Sequence, residues 1–287
     1  MAFLLRKPSL LLRAAAGISL AVVALHAAAK PLQEPKLKSS SVLIVDQSDS
    51  SVIYSRHSDA AMPIASITKL MTSLVVLDAK QPLDESIRIT NADRDFPKGG
   101  FSRLAVGTVL TRGDLMHLAL MSSENRAAHA LGNNYPGGMP AMVAAMNAKA
   151  AALGMENSHF VDPTGLSSQN VASPADLAKL VIAASHNPTI RGYSTDTRYA
   201  VKVQRHLVEF RNTDNLVANP SWNITVQKTG YIAEAGKCLV MAAVIEGRSV
   251  VIVLLDSFGK YTRVADAKRI KTWMEASAHQ RLSVSMR

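Results

Sequence analysis

The chain runs to 287 residues with a formal net charge of +10, 48% hydrophobic residues, 5% aromatics and a single cysteine, Cys238. That length can bury a large core, in one domain or two intimate lobes, without covalent staples. One cysteine excludes an intrachain disulfide framework and a cysteine-built zinc site, and 19% charged residues with only 15 Gly and 12 Pro exclude disorder or a collagen-like rod.

Arg6, Lys7 and Arg13 precede an apolar run over 14–29 that ends in Ala27-Ala28-Ala29. A basic start, a short apolar stretch and small residues at its end predict a signal peptide over 1–29, cleaved near residue 29 for export to the periplasm. The run falls short of the ~20 residues that span a bilayer, and Gly17 and His26 weaken it further. A lipoprotein would need a cysteine at the cleavage point. The basic balance then fits anionic wall polymers or plain solubility. No zinc-finger, RNP-like or basic-helix pattern accompanies it, and aromatics for base stacking are sparse, which argues against nucleic acid.

Residues 30–40 are polar and contain Pro31 and Pro35, so they read as a linker into a domain over 41–287. Ser41–Asp46 and Ser51–Tyr54 flank a polar tetrapeptide and predict a hairpin. From Ser66 to Ala79, Leu70, Met71, Leu74, Val75 and Leu77 recur with helical spacing. Further helices are predicted over 112–131 and 139–153, and one over 174–184 entered through Pro174. The last third is β-rich: 222–229, 237–246 and 249–256, the latter two joined by a tight turn at Gly247-Arg248. A closing helix follows over 261–277. Strands at both ends with helices between predict an α+β fold, its sheet assembled from the two ends of the chain around an inserted helical lobe.

Three short motifs carry chemistry. Ser66-Ile67-Thr68-Lys69 opens the first predicted helix, and a spacing of three puts both side chains on one face. A serine hydroxyl becomes a nucleophile when a base takes its proton, although the same tetrapeptide alone is equally an N-cap serine and a surface lysine. Ser123-Glu124-Asn125 interrupts an apolar helical stretch, where polar groups need partners; a solvated face explains it equally well. Lys228-Thr229-Gly230 follows a strand: a cation, a directed hydroxyl and a residue without Cβ, suited to an extended peptide carrying a carboxylate. Alone it is an ordinary strand end. Together and in this order, S-x-x-K, S-x-N and K-T-G form the arrangement of penicillin-binding proteins and serine β-lactamases.

The chain resembles the low-molecular-mass penicillin-binding proteins, the D-alanyl-D-alanine carboxypeptidase/endopeptidase family of serine peptidases, and most of all their soluble periplasmic endopeptidase type. The likeness runs through Ala65-Ser66-Ile67-Thr68-Lys69-Leu70-Met71-Thr72, Met121-Ser122-Ser123-Glu124-Asn125-Arg126, Phe160-Val161-Asp162-Pro163-Thr164-Gly165-Leu166-Ser167 and Lys228-Thr229-Gly230 to Lys271-Thr272-Trp273. It implies a five-stranded antiparallel sheet with flanking helices and a helical lobe, the active site between them. The chain stops soon after Trp273, which leaves no room for the extra β-domain and amphipathic anchor of larger family members.

The resemblance assigns Ser66 as nucleophile and Lys69 as its general base, kept neutral by burial and by Lys228 as a second cation. It gives Ser123 a proton-relay role toward the leaving amine, with Lys228 holding that serine. Asn125 would hold Lys69 and the substrate amide. The backbone N–H groups of Ser66 and Tyr231, the residue after Gly230, would form the oxyanion hole, with Thr229 binding substrate polar groups. Arg263 matches an arginine used near a terminal carboxylate, and is also ordinary at a helix start. No cofactor or metal is implied: the histidines show no paired ligand spacing, and Cys238 reads as a buried strand residue.

The expected activity is cleavage of D-alanyl bonds in peptidoglycan peptides, endopeptidase action on cross-links before carboxypeptidase action, with β-lactams as covalent inhibitors. A β-lactamase or a non-catalytic wall-binding protein are the competing readings. Intact Ser66, Lys69 and Lys228 argue against the second. Against the first, no E-x-x-L-N follows Ser123-Glu124-Asn125, and Glu156 and Glu209 sit in helix-end and strand settings. The closing helix, around Lys268, Arg269 and Lys271, has too few apolar residues for more than weak membrane attachment.

Overall fold

The computed structural model describes residues 33–94 and 102–285, so the leader expected over 1–29 lies outside the described residues. In chain order, β1 (Ser39–Asp46) and β2 (Val52–Arg56) form the predicted hairpin, β1 starting two residues inside the expected linker. β3 (Met62–Pro63) leads through a 3-10 turn, Ala65–Ile67, into α1 (Thr68–Asp78). The strands β4 (Ser86–Arg88) and β5 (Val109–Thr111) pair ahead of α2 (Arg112–Met121), α3 (Asn125–Asn133) and α4 (Gly138–Ala152). β6 (Val171–Ala172) pairs with β3, and α5 (Pro174–Ser185) and α6 (Pro188–Thr195) follow. After the hairpin β7 (Arg198–Val203) and β8 (His206–Arg211), the chain finishes as β9 (Asn223–Ile232), β10 (Gly236–Ile245), β11 (Arg248–Ser257) and α7 (Thr262–Ser285).

β1, β2 and the last three strands make one antiparallel sheet of order β2-β1-β11-β10-β9, joining the two ends of the chain as expected. Alternation along the strands sorts its faces. Val42, Ile44, Leu239, Met241, Ile252 and Leu254 point outward onto Ile270 and Met274 of α7. Leu43, Val45, Val240, Val251, Val253 and Leu255 point inward and merge with the core of the helical lobe, around Leu70, Met71, Leu118 and Leu180. β9 is an edge strand, and its inner side meets the turn that precedes α1.

Three expectations need correction. The helix predicted over 112–131 is two helices, because Ser123 takes a left-handed backbone (φ 59°) and the Glu124 N–H returns to Leu118 O at 3.1 Å. The turn between β10 and β11 is Glu246-Gly247, both at positive φ (49° and 73°), not Gly247-Arg248. Consecutive left-handed residues match the right-handed twist of the flanking strands. The third concerns α6 and the β7–β8 hairpin, absent from the sequence reading beyond the strand setting of Glu209. In β7–β8, Tyr199, Val201, Val203, Val208 and Phe210 face the core, but the exposed Ala200 and Leu207 blur the alternation of these two short strands.

Candidate active site

Ser66 sits in the 3-10 turn just ahead of α1, and Lys69 lies one turn further, fully buried. Their spacing brings Lys69 Nζ to 2.7 Å from Ser66 Oγ. Nζ also lies 2.7 Å from Asn125 Oδ1 and 2.6 Å from Thr164 O. Asn125 arrives from the first turn of α3, and Thr164 from the loop between α4 and β6. Two of the three neighbours are carbonyl oxygens, which only accept. A neutral amine spends its two N–H donors on them, and its lone pair then faces the Ser66 hydroxyl. Burial favours that neutral form: it lowers the Lys69 pKa from 10.5 to about 7, against the upward pull of the Asp162 and Glu124 carboxylates.

The Thr164 carbonyl, which the motif reading did not single out, is held by a tightly bonded loop. Asp162 Oδ1 accepts from Thr164 N (2.6 Å), Thr164 Oγ1 (2.6 Å) and Gly165 N (2.8 Å), and Oδ2 from Ser167 N (3.1 Å) and Asn170 Nδ2 (2.6 Å). Gly165 has φ 79°, and a Cβ there would fall 1.9 Å from Ala65 O. Only glycine lets this loop rest on the turn that carries Ser66. An Asp followed by Pro, Thr and Gly is a turn signature and was the available signal.

Ser123 is half-buried at the break between α2 and α3, and Lys228 Nζ donates to its Oγ at 2.9 Å and to Thr229 O at 2.8 Å. Lys228 is fully buried on β9, and its pKa lies well below 10.5, through burial first and then the cations Lys69 and Arg263. The second cation expected to depress Lys69 thus registers at Lys228. At Lys69 the cause of the lowering is burial. Ala65 and Ser123 are non-glycine residues at positive φ (48° and 59°) beside Ser66 and Asn125, and such backbone persists where its surroundings over-determine it.

Gly230 lets β9 run close to Ser66, since a Cβ would lie 2.8 Å from Ile64 O and 3.3 Å from Ser66 N. Thr229 is nearly buried, and its Oγ1 meets Thr213 Oγ1 at 2.6 Å. Tyr231 is exposed, its ring 4.1 Å from Lys237 Nζ. Arg263, in the first turn of α7, donates through Nη1 to Gly230 O (2.8 Å) and Cys238 O (3.1 Å). Burial lowers its pKa and Asp214 pulls it back up. The nine residues singled out from sequence therefore converge on the junction of α1, the α2–α3 break and β9.

Other candidates lie elsewhere or are inert. Glu156 is exposed, and Glu209 pairs with Arg198 and Arg211 on the β7–β8 hairpin. Burial pushes the Cys238 thiol up to about 11, which disfavours a thiolate. Among the described residues, no group of three or more His, Cys, Asp or Glu is placed to hold a metal ion, and no helix is long and apolar enough to cross a membrane.

The D-alanyl-D-alanine carboxypeptidase family model matches residues 28–259. The chain is 50% identical over 247 residues to a D-alanyl-D-alanine endopeptidase of Pseudomonas aeruginosa, covering 85% of this chain and 79% of that protein. It is 47% identical over 269 residues to a D-alanyl-D-alanine endopeptidase of Escherichia coli, covering 93% and 87% respectively. The fold is similar to the crystal structure of a Streptomyces DD-transpeptidase, with a TM-score of 0.79 at 27% identity over 84% of this chain and 98% of that one.

Proposed function

This chain belongs to the D-alanyl-D-alanine carboxypeptidase family of serine peptidases, and on that footing we propose that it cleaves D-alanyl peptide bonds of peptidoglycan, cross-links in preference to stem-peptide ends. The preference follows the endopeptidase relatives, which share about half of its sequence. The observation that carries the chemistry is the 2.7 Å contact between Ser66 Oγ and a buried lysine whose other two neighbours are carbonyl oxygens.

In this reading Lys69 Nζ takes the Ser66 proton as Oγ attacks the D-alanyl carbonyl carbon. The oxyanion is met by the backbone N–H groups of Ser66 and Tyr231. The C–N bond then breaks, and the proton returns to the leaving amine through Ser123, which Lys228 holds. Water adds to the acyl-enzyme in the second half-reaction and regenerates the Ser66 hydroxyl. Asn125, Thr229 and Gly230 line the path of the extended substrate beside β9. The leader over 1–29 supports a periplasmic place of work.

β-Lactams acylate Ser66 by the same attack and are released slowly. Asp162 and Glu124, the carboxylates that act on Lys69, already accept backbone N–H groups, and so are poorly free to activate water. Carboxypeptidase action is the second reading, supported by Arg263 of α7, which bonds to Gly230 O near the end of β9. Incubation with labelled penicillin, then with cross-linked muropeptide dimers, tests all of this. Covalent labelling and loss of dimer are expected. Free D-alanine without dimer loss selects the carboxypeptidase, and rapid drug turnover a β-lactamase.

A further inference from the structure

The side-chain hydrogen-bond partner of Thr229 Oγ1 is Thr213, from the loop that follows β8. At 2.6 Å the two hydroxyls share one hydrogen, and either could donate it. The competing acceptor for Thr213 is Met121 O, which lies 3.5 Å from its Oγ1 and already accepts the Thr213 N–H at 3.1 Å. An O–H···O bond prefers 2.5–3.0 Å. Within the protein the short contact to Thr229 is the better acceptor for the Thr213 hydrogen, and whenever Thr213 donates, the hydrogen of nearly buried Thr229 is free for a ligand.

That leftover donor sits in a cationic setting. Lys228 Nζ donates to Thr229 O and Arg263 Nη1 to Gly230 O, the two consecutive carbonyls of β9 at this point. Asp214, the nearest acid in sequence, turns its Oδ1 back onto Leu216 N at 3.0 Å. The loop that presents Thr213 is itself fixed. Asn212 Nδ2 donates to Ser194 O (2.9 Å) and Asp196 O (2.7 Å), and its Oδ1 accepts from Gln227 Nε2 (2.8 Å) and Asp214 N (2.9 Å). Gln227 immediately precedes Lys228, so this half-buried junction sets Thr213 in register with β9.

We propose that Thr213 is a positioning residue: its hydroxyl donates to Thr229 and so directs the Thr229 hydrogen at an anionic acceptor, the carboxylate beside the leaving amine of the substrate. The inference rests on the peptidase reading above. It makes the exposed Thr213 a determinant of selectivity for a carboxylate over an uncharged group at that place. With Thr213 donating, the Thr229 hydrogen finds its acceptor in the substrate, which is how polar sites discriminate.

The test compares two cross-linked dimer substrates that differ in one group, the carboxylate adjacent to the leaving amine or its carboxamide. The wild-type enzyme favours the carboxylate. Thr213→Val, of similar shape without the hydroxyl, lowers kcat/KM for the carboxylate substrate about tenfold, mostly through KM, and leaves the carboxamide nearly unchanged. Thr213→Ser restores the ratio, and Thr213→Ala repeats the loss if the valine variant folds poorly. A folded Thr213→Val enzyme with the wild-type ratio overturns the proposal, as does a folded Thr213→Ser enzyme that fails to restore it. A wild-type protein that neither takes up labelled penicillin nor cleaves dimers overturns the peptidase reading, and this inference with it.

Discussion

Two lysines are buried to the same extent at this site, each beside a serine hydroxyl and a backbone carbonyl, yet they differ in the element that carries them and in the charge around them. Lys69 stands on a helix, among acceptor oxygens, under the pull of two carboxylates. Lys228 stands on an edge strand, donates to a serine and to a backbone oxygen, and feels two cations. Equal burial with opposite neighbouring charge gives two amines with distinct tasks. The carboxylates keep the Lys69 pKa at about 7, where an amine can both take and return a proton near neutral pH. Lys228 makes its side-chain hydrogen bond to Ser123, not to Ser66, and acts through Ser123.

The largest test of this difference removes each amine in turn. Lys69→Arg keeps a cation but no base, because arginine stays protonated. Penicillin acylation is expected to fall by ~10²–10⁴-fold, the range that a positioned base supplies. Lys228→Arg retains donors for Ser123 and is expected to lose a smaller factor. Stopped-flow acylation rates read both. Equal losses would erase the distinction between the two lysines.

A second test strikes the backbone that brings each wall in. Gly165→Ala forces a left-handed residue, about 1–2 kcal/mol by itself, and drives a Cβ to 1.9 Å from Ala65 O. Gly230→Ala leaves the backbone conformation allowed and meets Ile64 O at 2.8 Å. Thermal unfolding should show a drop of several degrees for Gly165→Ala and a smaller one for Gly230→Ala. The second variant should lose more acylation than stability, since it pushes β9 away from Ser66. The reverse order of melting temperatures would mean that the loop is no buttress.

What could be read from sequence divides along the same line. Ser66 and Lys69 are three apart on one element, so their contact follows from helix geometry alone. The three motifs and the sheet joining both ends of the chain were readable for similar reasons: local spacing, and short β-rich runs that are almost continuously apolar in β10 and β11. The groups that tune the site were not. Thr164 acts through a carbonyl, which every residue has. Thr213 meets Thr229 only because Asn212 and Gln227 lock two distant segments together. Ser123 looks like part of a continuous helix until its left-handed backbone breaks it. Tertiary contacts decide these positions, and no local period announces them.

The smallest expected effect isolates charge from packing. Glu124 Oε1 accepts the Arg126 N–H at the start of α3 (3.1 Å), and a glutamine keeps that oxygen while removing the charge. The Glu124 carboxylate raises the Lys69 pKa, so Glu124→Gln should lower it further below about 7. Acylation requires the neutral amine, so its rising limb should shift to lower pH by a fraction of a unit, with the plateau rate preserved. Stability follows with a defined sign. Above about 7 the folded chain sheds the Lys69 proton, while the unfolded chain keeps it up to 10.5. The unfolded state therefore binds more protons across that window, and Lys69 makes stability rise with pH there and contribute no slope below it. Glu124→Gln should extend the lower edge of the rise. Asp162→Asn acts in the same electrostatic direction but weakens five hydrogen bonds of the loop, so its plateau should fall as well. A rising limb that stays in place in Glu124→Gln, measured by penicillin acylation from pH 5 to 9, would mean that Lys69 is tuned by burial alone.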